Sequence, residues 1–160
     1  MALTLRRLGP DDTALADALA LIRTSFAYMD GVIDPPSSMH SLTLDALRDL
    51  AETQEIWTFG SPLIACAIFT VKANLLTVGK LAVAPQARGT GLARQLLTQA
   101  NARAYTHGLS RIELQSRVEL TGNHAAFTRL GFREVARTTH PGFDRPTSIT
   151  FQRKTTPPAP

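Results

Sequence analysis

The stretch Val78–Leu97, VGKLAVAPQARGTGLARQLL, has the pattern of a strand, a tight loop and a helix in succession. Val78 and Leu81–Val83 form an apolar run typical of a buried strand. Pro85 ends the strand because proline has no N–H group to donate to a neighbouring strand. From Leu92 onward the apolar residues recur with a helical period.

The loop between strand and helix has the features of an anion site. The first N–H groups of a helix have no partner within it, and the helix dipole places partial positive charge there. Gly89 and Gly91 have no Cβ, so a ligand could approach the backbone closely, and Arg88 and Arg94 add positive charge. We therefore predict that this loop binds a phosphate or pyrophosphate.

Two common phosphate loops do not fit this stretch. A Walker A loop requires Lys-Ser/Thr after its last glycine, but Leu92 follows Gly91. The dinucleotide fingerprint G-x-G-x-x-G requires a glycine where Arg94 stands. The pattern that remains is Q-x-x-G-x-G after Leu-Ala-Val-x-Pro.

Composition limits the classes of function. The chain has 160 residues and is expected to form one domain over residues 1–154, followed by a Pro-rich, disordered tail over 155–160. The net charge of +4 is not concentrated in basic runs or basic–aromatic patches, which disfavours nucleic acid as a partner. No membrane-length apolar run or signal-peptide pattern is present, and the single Cys66 falls in an apolar strand, so we expect a cytoplasmic protein without disulfides or membrane contact.

Periodicity and turn residues predict an α+β fold with the element order β-α-α-β-β-β-α-β-α-β-β. The predicted strands and helices are, in order, Ala2–Arg7, Thr13–Ala27, Ser41–Glu52, Ile56–Phe59, Leu63–Val71, Leu75–Val83, Leu92–His107, Ser110–Arg117, Asn123–Leu130, Phe132–Thr138 and Ser148–Arg153.

A second motif lies at Asn123–Phe132, NHAAFTRLGF. Together with LAVAPQARGTG it resembles the two coenzyme A motifs of the GNAT acetyltransferase superfamily, and the predicted element order matches that fold. The resemblance covers roughly Leu3–Arg153. It implies a mixed, mostly antiparallel sheet of about seven strands with four helices.

The resemblance also implies an activity, the direct transfer of an acetyl group from acetyl-CoA to an amine of a small molecule or peptide. The loop would bind the pyrophosphate, the strand would pair with the pantetheine and polarise the thioester carbonyl, and the second motif would lie along the pantetheine. The implied coenzyme A residues are Leu81, Ala82, Val83, Gln86, Ala87, Arg88, Gly89, Thr90, Gly91, Leu92, Ala93, Asn123 and Phe127.

One position departs from the family pattern. Many members have a tyrosine four residues before the Gly-Phe glycine, where it protonates the leaving thiolate, but this chain has Phe127. Phe127 has no proton to donate and could equally serve as core packing. An ordinary thiol has a pKa of about 8.5, so the thiolate can leave without an acid. Tyr28 is the substitute acid that we predict.

The proton acceptor and the amine site are less defined. Glu119 follows the strand Ser110–Arg117, and His124 lies in the second motif, so both are candidate bases, as are His40, His140 and Asp34 on loops. The segment Tyr28–His40 is long for a connection, and in the family resembled it forms a wall of the acceptor site. The other wall would come from HPGFDRP. The predicted acceptor residues are Tyr28, Asp34, Ser37, Ser38, His40, His140, Asp144 and Arg145.

Two classes of function remain open from the sequence. One is an acetyl-CoA-dependent N-acetyltransferase; the other is a non-catalytic domain that binds or senses acyl-CoA, which the missing tyrosine favours slightly. The histidines lack metal-ligand spacing, so we expect no metal site. The sequence leaves a homodimer open.

Overall fold

Seven strands and four helices follow one another in the predicted order, and the computed structural model describes residues 3–159. Ala2, the predicted first residue of the first strand, lies outside the described residues. The elements are β1 Leu5–Leu8, α1 Leu15–Phe26, α2 Leu44–Thr53, β2 Glu55–Phe59, β3 Ala65–Val71, β4 Leu75–Val83, α3 Leu92–Thr106, β5 Arg111–Arg117, α4 Thr121–Arg129, β6 Arg133–Thr138 and β7 Ser148–Lys154.

All seven strands form one sheet in the order β1-β2-β3-β4-β5-β7-β6. Every neighbouring pair is antiparallel except β4 and β5, which run parallel. The predicted mixed, mostly antiparallel sheet is therefore confirmed. Helix α3 makes the crossover between the two parallel strands, which places both ends of that crossover at the centre of the sheet.

Helices cover both faces of the sheet, and each face has its own apolar core. On one face α3 packs through Leu92, Leu96 and Leu97 against strand residues such as Phe69 and Leu76. On the other face α1 and α2 pack through residues such as Leu15, Ile22 and Leu47. Cys66 is fully buried in this second core, where burial raises the pKa of its thiol to about 12. Cys66 therefore packs as a small buried apolar residue, in keeping with its place in an apolar strand.

Several element boundaries differ from the predicted ones, among them the starts of α2 and α4. Helix α2 begins at Leu44 because Thr43 adopts an extended conformation and its Oγ1 accepts a hydrogen bond from Ala46 N at 3.1 Å. The preceding residues Ser38–Ser41 form a separate 3-10 turn, so the segment Tyr28–His40 is less irregular than predicted. Helix α4 begins at Thr121, two residues before the predicted start.

Strand β4 is bent near its middle. Its pairing with β3 shifts register between Cys66 and Ile68, opposite Gly79 and Ala82, and Lys80 there has a φ of +50°. A bulge of this kind bends a strand and increases its twist. The bend turns the second half of β4 away from β5. Among residues 3–159, no helix is long and apolar enough to span a bilayer.

Candidate active site

The parallel strands β4 and β5 separate from each other halfway along. Their paired residues run from Leu75–Arg111 to Val78–Leu114, and pairing ends there. Beyond this point the two strands enclose the mouth of a cavity of about 850 Å³. Leu81–Val83 line one wall and Gln115–Arg117 line the other. The bend in β4 therefore creates a cleft in the middle of an otherwise continuous sheet.

The backbone of β4 is available on the cleft side. Ala84 N donates to Ile64 O on the β3 side at 2.8 Å, and Ala82 is paired with Cys66. Because successive residues of a strand direct their polar groups to opposite sides, Leu81 and Val83 direct theirs into the cleft. The Val83 carbonyl accepts a hydrogen bond from Ser25 Oγ at 3.3 Å. This geometry is what the predicted pairing of Leu81 and Val83 with a pantetheine requires.

The glycine loop lies at one end of the cleft. Gly89 has φ +78° and Gly91, which precedes α3, has φ +86°, so both need the left-handed region that glycine tolerates. A Cβ built at either position would meet no atom within 4 Å. The first main-chain bond of α3 is Gln95 N to Gly91 O at 3.0 Å, so the N–H groups of Leu92, Ala93 and Arg94 have no intrahelical acceptor.

The loop is also held in shape from within. Ala87 N donates to Ala84 O at 2.9 Å, and Thr90 Oγ1 donates to Ala87 O. Arg88 donates from Nη2 to Ser25 O at 3.3 Å, and its guanidinium lies 5.9 Å from the centre of the Tyr28 ring. Gln86, Arg88 and Arg94 are exposed. Open space, unpaired N–H groups and positive charge together fit a pyrophosphate.

The second motif lies along the cleft as helix α4. Asn123, Ala126 and Phe127 line the cavity. The Phe127 ring also packs on Phe132 and Phe151, with ring centres 6.3 and 5.6 Å away. Phe127 therefore packs in the core, which is one of the two roles that the sequence left open, and it also lines the cavity, where the other role, contact with coenzyme A, stays a prediction. His124 Nε2 lies 2.9 Å from Arg117 O, which ties α4 to the end of β5.

The segment Tyr28–His40 forms another wall of the cavity, and it begins beside the glycine loop, where Tyr28 lies next to Arg88. Ile33 and Met39 are buried and anchor it, while Tyr28, Ser37 and Ser38 face the cavity. Arg117 Nη1 donates to Pro35 O at 2.7 Å and Arg117 Nη2 donates to Pro36 O at 3.1 Å. Sequence analysis did not assign a role to Arg117, because nothing near position 117 indicates that it would meet prolines some eighty residues earlier.

Lys80 is the second residue that the sequence analysis missed. It lies in the bent part of β4, lines the cavity, and donates from Nζ to Ser38 Oγ at 2.7 Å. Burial, with the Arg117 charge nearby, lowers the pKa of the Lys80 ammonium. A signal was available in the sequence, since Lys80 is a charged residue inside an apolar strand.

The predicted proton-transfer residues do not come together. Tyr28 lines the cavity and is half exposed. Glu119 Oε2 instead accepts from Asp34 N at 3.2 Å, and Glu119 Oε1 is buried with no hydrogen-bond partner among residues 3–159. His124 Nε2 must carry the hydrogen in its contact with Arg117 O, because a carbonyl only accepts.

The predicted acceptor residues lie in three different environments. Ser37, His140 and Tyr28 line the cavity, as does Ser38. Asp34 instead lies 3.8 Å from Arg145, which also approaches Glu119 at 4.0 Å. The other two, His40 and Asp144, are exposed. His40 Nε2 lies 2.7 Å from Asp30 Oδ1.

His140 is held in place by Thr147. The hydroxyl of buried Thr147 accepts from His140 N at 2.9 Å and lies 3.4 Å from Thr138 O. The same hydroxyl contacts His140 Nδ1. Thr147 therefore holds the imidazole from its Nδ1 side, next to the cavity that His140 lines.

The comparisons with known proteins agree with this geometry. The model of the acetyltransferase (GNAT) family matches residues 26–132. A similar solved structure is the ribosomal-protein-S18-alanine N-acetyltransferase from Escherichia coli, with 22% identity over 97% of this chain and 95% of that one, at a TM-score of 0.73. Among curated proteins, no sequence matches significantly.

Two further solved structures share the fold. The PaiA N-acetyltransferase from Thermoplasma acidophilum, in complex with coenzyme A, has 16% identity, coverage of 96% and 99%, and a TM-score of 0.79. A Klebsiella pneumoniae protein provisionally described as an acyl-CoA N-acyltransferase has 20% identity, coverage of 96% and 98%, and a TM-score of 0.70. The chain belongs to the GNAT acetyltransferase family. Acetyl-CoA is the cofactor of that family, and the glycine loop and cleft fit it.

Proposed function

We propose that this protein transfers an acetyl group from acetyl-CoA to an amine of a small molecule or peptide. The observation that carries the proposal is the cleft between β4 and β5, which lies next to the glycine loop and continues into a cavity walled by the segment Tyr28–His40. A domain that only held coenzyme A would need the loop and the strand backbone. The cavity beyond them provides room for a second molecule.

Acetyl-CoA supplies an activated acetyl thioester, and the chain supplies binding, orientation and proton transfer. The N–H groups of the glycine loop and the start of α3 hold the pyrophosphate, and the exposed backbone of Leu81 and Val83 aligns the pantetheine. The N–H groups directed into the cleft favour negative charge on the reacting carbonyl oxygen. Fixing both reactants in one cleft also removes the entropic cost of their encounter from the reaction step.

We place the proton acceptor at the imidazole of His140. Among the histidines and carboxylates suggested by sequence as bases or acceptor contacts, His140 alone lines the cavity of the described residues. Thr147 contacts its Nδ1 and holds the ring, as an orienting partner does for many catalytic bases. Tyr28 remains our candidate for protonating the leaving sulfur. Glu119 and His124, the bases first suggested, would act only after a rearrangement.

The deciding experiment measures thiol release from acetyl-CoA in the presence of a panel of amines. The single cysteine, Cys66, is fully buried, so the protein contributes little thiol background. We expect amine-dependent release of coenzyme A and an acetylated product of matching mass. A protein that binds acetyl-CoA but releases no coenzyme A with any amine is the acyl-CoA-binding domain of the alternative hypothesis. Gly89→Asp, which should bind coenzyme A only weakly, serves as the negative control.

His140→Gln tests the assignment of the base. Glutamine keeps polar groups near the cavity but cannot take a proton. We expect kcat to fall about 10²-fold or more, the lower range for general base catalysis, while KM for acetyl-CoA stays within about twofold. His124→Gln is the matched control and should keep kcat within about threefold. If kcat falls about 10²-fold in His124→Gln and stays nearly unchanged in His140→Gln, His124 is the base.

A further inference from the structure

Two cations face each other across the acceptor end of the cavity. Lys80 lies on the bent part of β4, and Arg117 ends β5, so they stand on opposite walls of the cleft. They are close enough for the positive charge of Arg117 to contribute to lowering the pKa of the Lys80 ammonium. Two like charges in a partly buried site repel each other, and their proximity costs stability unless an anion joins them.

No ion pair of Lys80 or Arg117 is found among residues 3–159. Lys80 Nζ contacts the neutral hydroxyl of Ser38, and Arg117 contacts the neutral carbonyls of Pro35 and Pro36. The charges of Asp34 and Glu119 act on Arg117 from beyond ion-pair distance, and both carboxylates lie nearer to Arg145, at 3.8 and 4.0 Å. Lys80 is therefore the cation of this pair that lacks a carboxylate, and at least two of its three N–H bonds remain for another acceptor.

The backbone at Lys80 has an unusual conformation. Its φ of +50° is uncommon for a residue other than glycine, asparagine or aspartate. Strained conformations persist where the surrounding structure fixes them, and they cluster at binding and catalytic sites. Here the strain belongs to the bend that opens the cleft, and it places a charged side chain at the cavity.

The pyrophosphate of coenzyme A is not the missing anion. Lys80 precedes Val83, the last residue of β4, by three positions, which corresponds to about 10 Å along a strand. The glycine loop lies further on, and it has its own cation in Arg88. Lys80 and Arg117 are therefore at the end of the cavity that the acceptor occupies.

We infer that Lys80 and Arg117 form a carboxylate site, and that the acceptor is an amine that carries a carboxylate on the same small molecule, such as a free amino acid. This inference rests on the proposed function for the identity of the cavity as an acceptor site. The carboxylate would accept from Lys80 Nζ and from the guanidinium N–H groups that Arg117 does not use on the two prolines. Its charge offsets the repulsion between the two cations.

Binding to the coenzyme A-loaded protein tests the inference without requiring turnover. The probes are free amino acids with the amine at different distances from the carboxylate, each paired with its own carboxamide, and the measurement is titration calorimetry. We expect at least one acid to bind about tenfold or more tightly than its amide. Equal binding of acids and amides across the panel, or no binding of either, overturns the inference.

Lys80→Met locates the site. Methionine keeps a long, unbranched side chain but removes the charge, and the left-handed backbone is strained equally in both. We expect the acid to lose about tenfold in affinity while its amide, and coenzyme A itself, change by less than twofold. Lys72→Met is the matched control, because Lys72 also lines the cavity but precedes β4, and it should leave the preference unchanged. Lys80→Arg should retain the preference.

Kinetics separate this inference from the proposed function. If the acids bind through Lys80 but no coenzyme A is released, the carboxylate site stands and the transferase proposal fails. If acids and amides are acetylated at equal kcat/KM, the transferase proposal stands and the carboxylate site fails. If Lys80→Met lowers kcat with every acceptor while KM is unchanged, Lys80 acts in proton transfer, which also overturns the inference.

Discussion

The two ends of the cleft are built in different ways. The coenzyme A end consists mainly of consecutive residues, Ala84–Gly91 and the first turn of α3, and its loop is shaped by hydrogen bonds that span a few positions, with Arg88 adding one long-range bond to Ser25 O. The acceptor end joins residues far apart in the chain, such as Ser38 to Lys80 and Pro35 to Arg117. The first is fixed by local backbone geometry and the second by a few long side chains. Substitutions should therefore affect cofactor and acceptor separately.

Gly89→Asp should have the largest effect on ligand binding, because it changes the coenzyme A end directly and leaves the acceptor end unaltered. The new side chain would occupy the open space at a residue with φ +78° and would bring a carboxylate to the pyrophosphate site. We expect the Kd for coenzyme A to rise at least about 100-fold, measured by calorimetry or by loss of the ligand-induced rise in Tm. Gly108→Asp is the control, since Gly108 has φ +70° and equally open surroundings at the other end of α3. Normal coenzyme A binding by Gly89→Asp in a folded protein would contradict the placement of the pyrophosphate.

Glu55 should show the next largest effect, on stability and not on either ligand. It is buried in β2, and although burial raises its pKa, hydrogen bonds from Arg103, Trp57 and His107 outweigh burial and lower the pKa to about 2. A carboxyl group whose pKa is lowered by folding stabilises the protein fully above its unfolded pKa of about 4.5. That stability is lost as the pH falls from about 4.5 through 2.

The difference between these two pKa values corresponds to roughly 3 kcal/mol. We expect the free energy of unfolding of wild type to exceed that of Glu55→Gln by up to that amount at pH 7, and the gap to narrow below pH 4.5. Denaturant titrations of both proteins across this range provide the measurement. A constant gap between pH 7 and pH 3 would mean that the charge of Glu55 does not stabilise the fold.

Arg117→Gln should release the acceptor end while the coenzyme A end stays intact. Its two hydrogen bonds to Pro35 and Pro36 connect β5 to the segment Tyr28–His40. A buried hydrogen bond to a charged group stabilises a protein by about 1.5–3 kcal/mol, and at this partly exposed site each bond contributes less. We expect faster amide hydrogen exchange within residues 28–42, and a Kd for coenzyme A within about threefold of wild type. Arg111→Gln, at the opposite end of β5, should leave that exchange unchanged. Protection that is equal in both variants would show that Ile33 and Met39 suffice to hold the segment.

Phe127→Leu should have the smallest effect on catalysis. The ring packs against Phe132 and Phe151 and carries no proton, so its loss removes packing and not acid catalysis. We expect kcat to stay within about tenfold, a change of at most ~1.4 kcal/mol in the activation free energy, and Tm to fall modestly. Phe127→Tyr, which restores the hydroxyl typical of the family, should keep or raise kcat. A collapse of kcat in Phe127→Leu at normal coenzyme A affinity would assign the ring a role beyond packing.

The sequence by itself determined the order of the elements, the bounds of β4 and the position of the glycine loop. These features depend on neighbours in the chain: apolar spacing, Pro85 after the strand, and glycines at Gly89 and Gly91 where φ is positive. They also sufficed to indicate the family, which the match over residues 26–132 confirms.

Only the tertiary structure decided how the acceptor end is composed. The sequence suggested Asp34, Glu119 and His124 from their positions near the site, but these side chains are engaged by Arg145, by the Asp34 backbone and by Arg117 O. His140, which the sequence also suggested, does line the cavity, whereas Lys80 and Arg117, which it did not suggest, are brought there by the bend in β4 and by contacts over large sequence separations. Which way a side chain points at a bend or at a strand end depends on register and packing, and these are fixed only when the sheet is assembled.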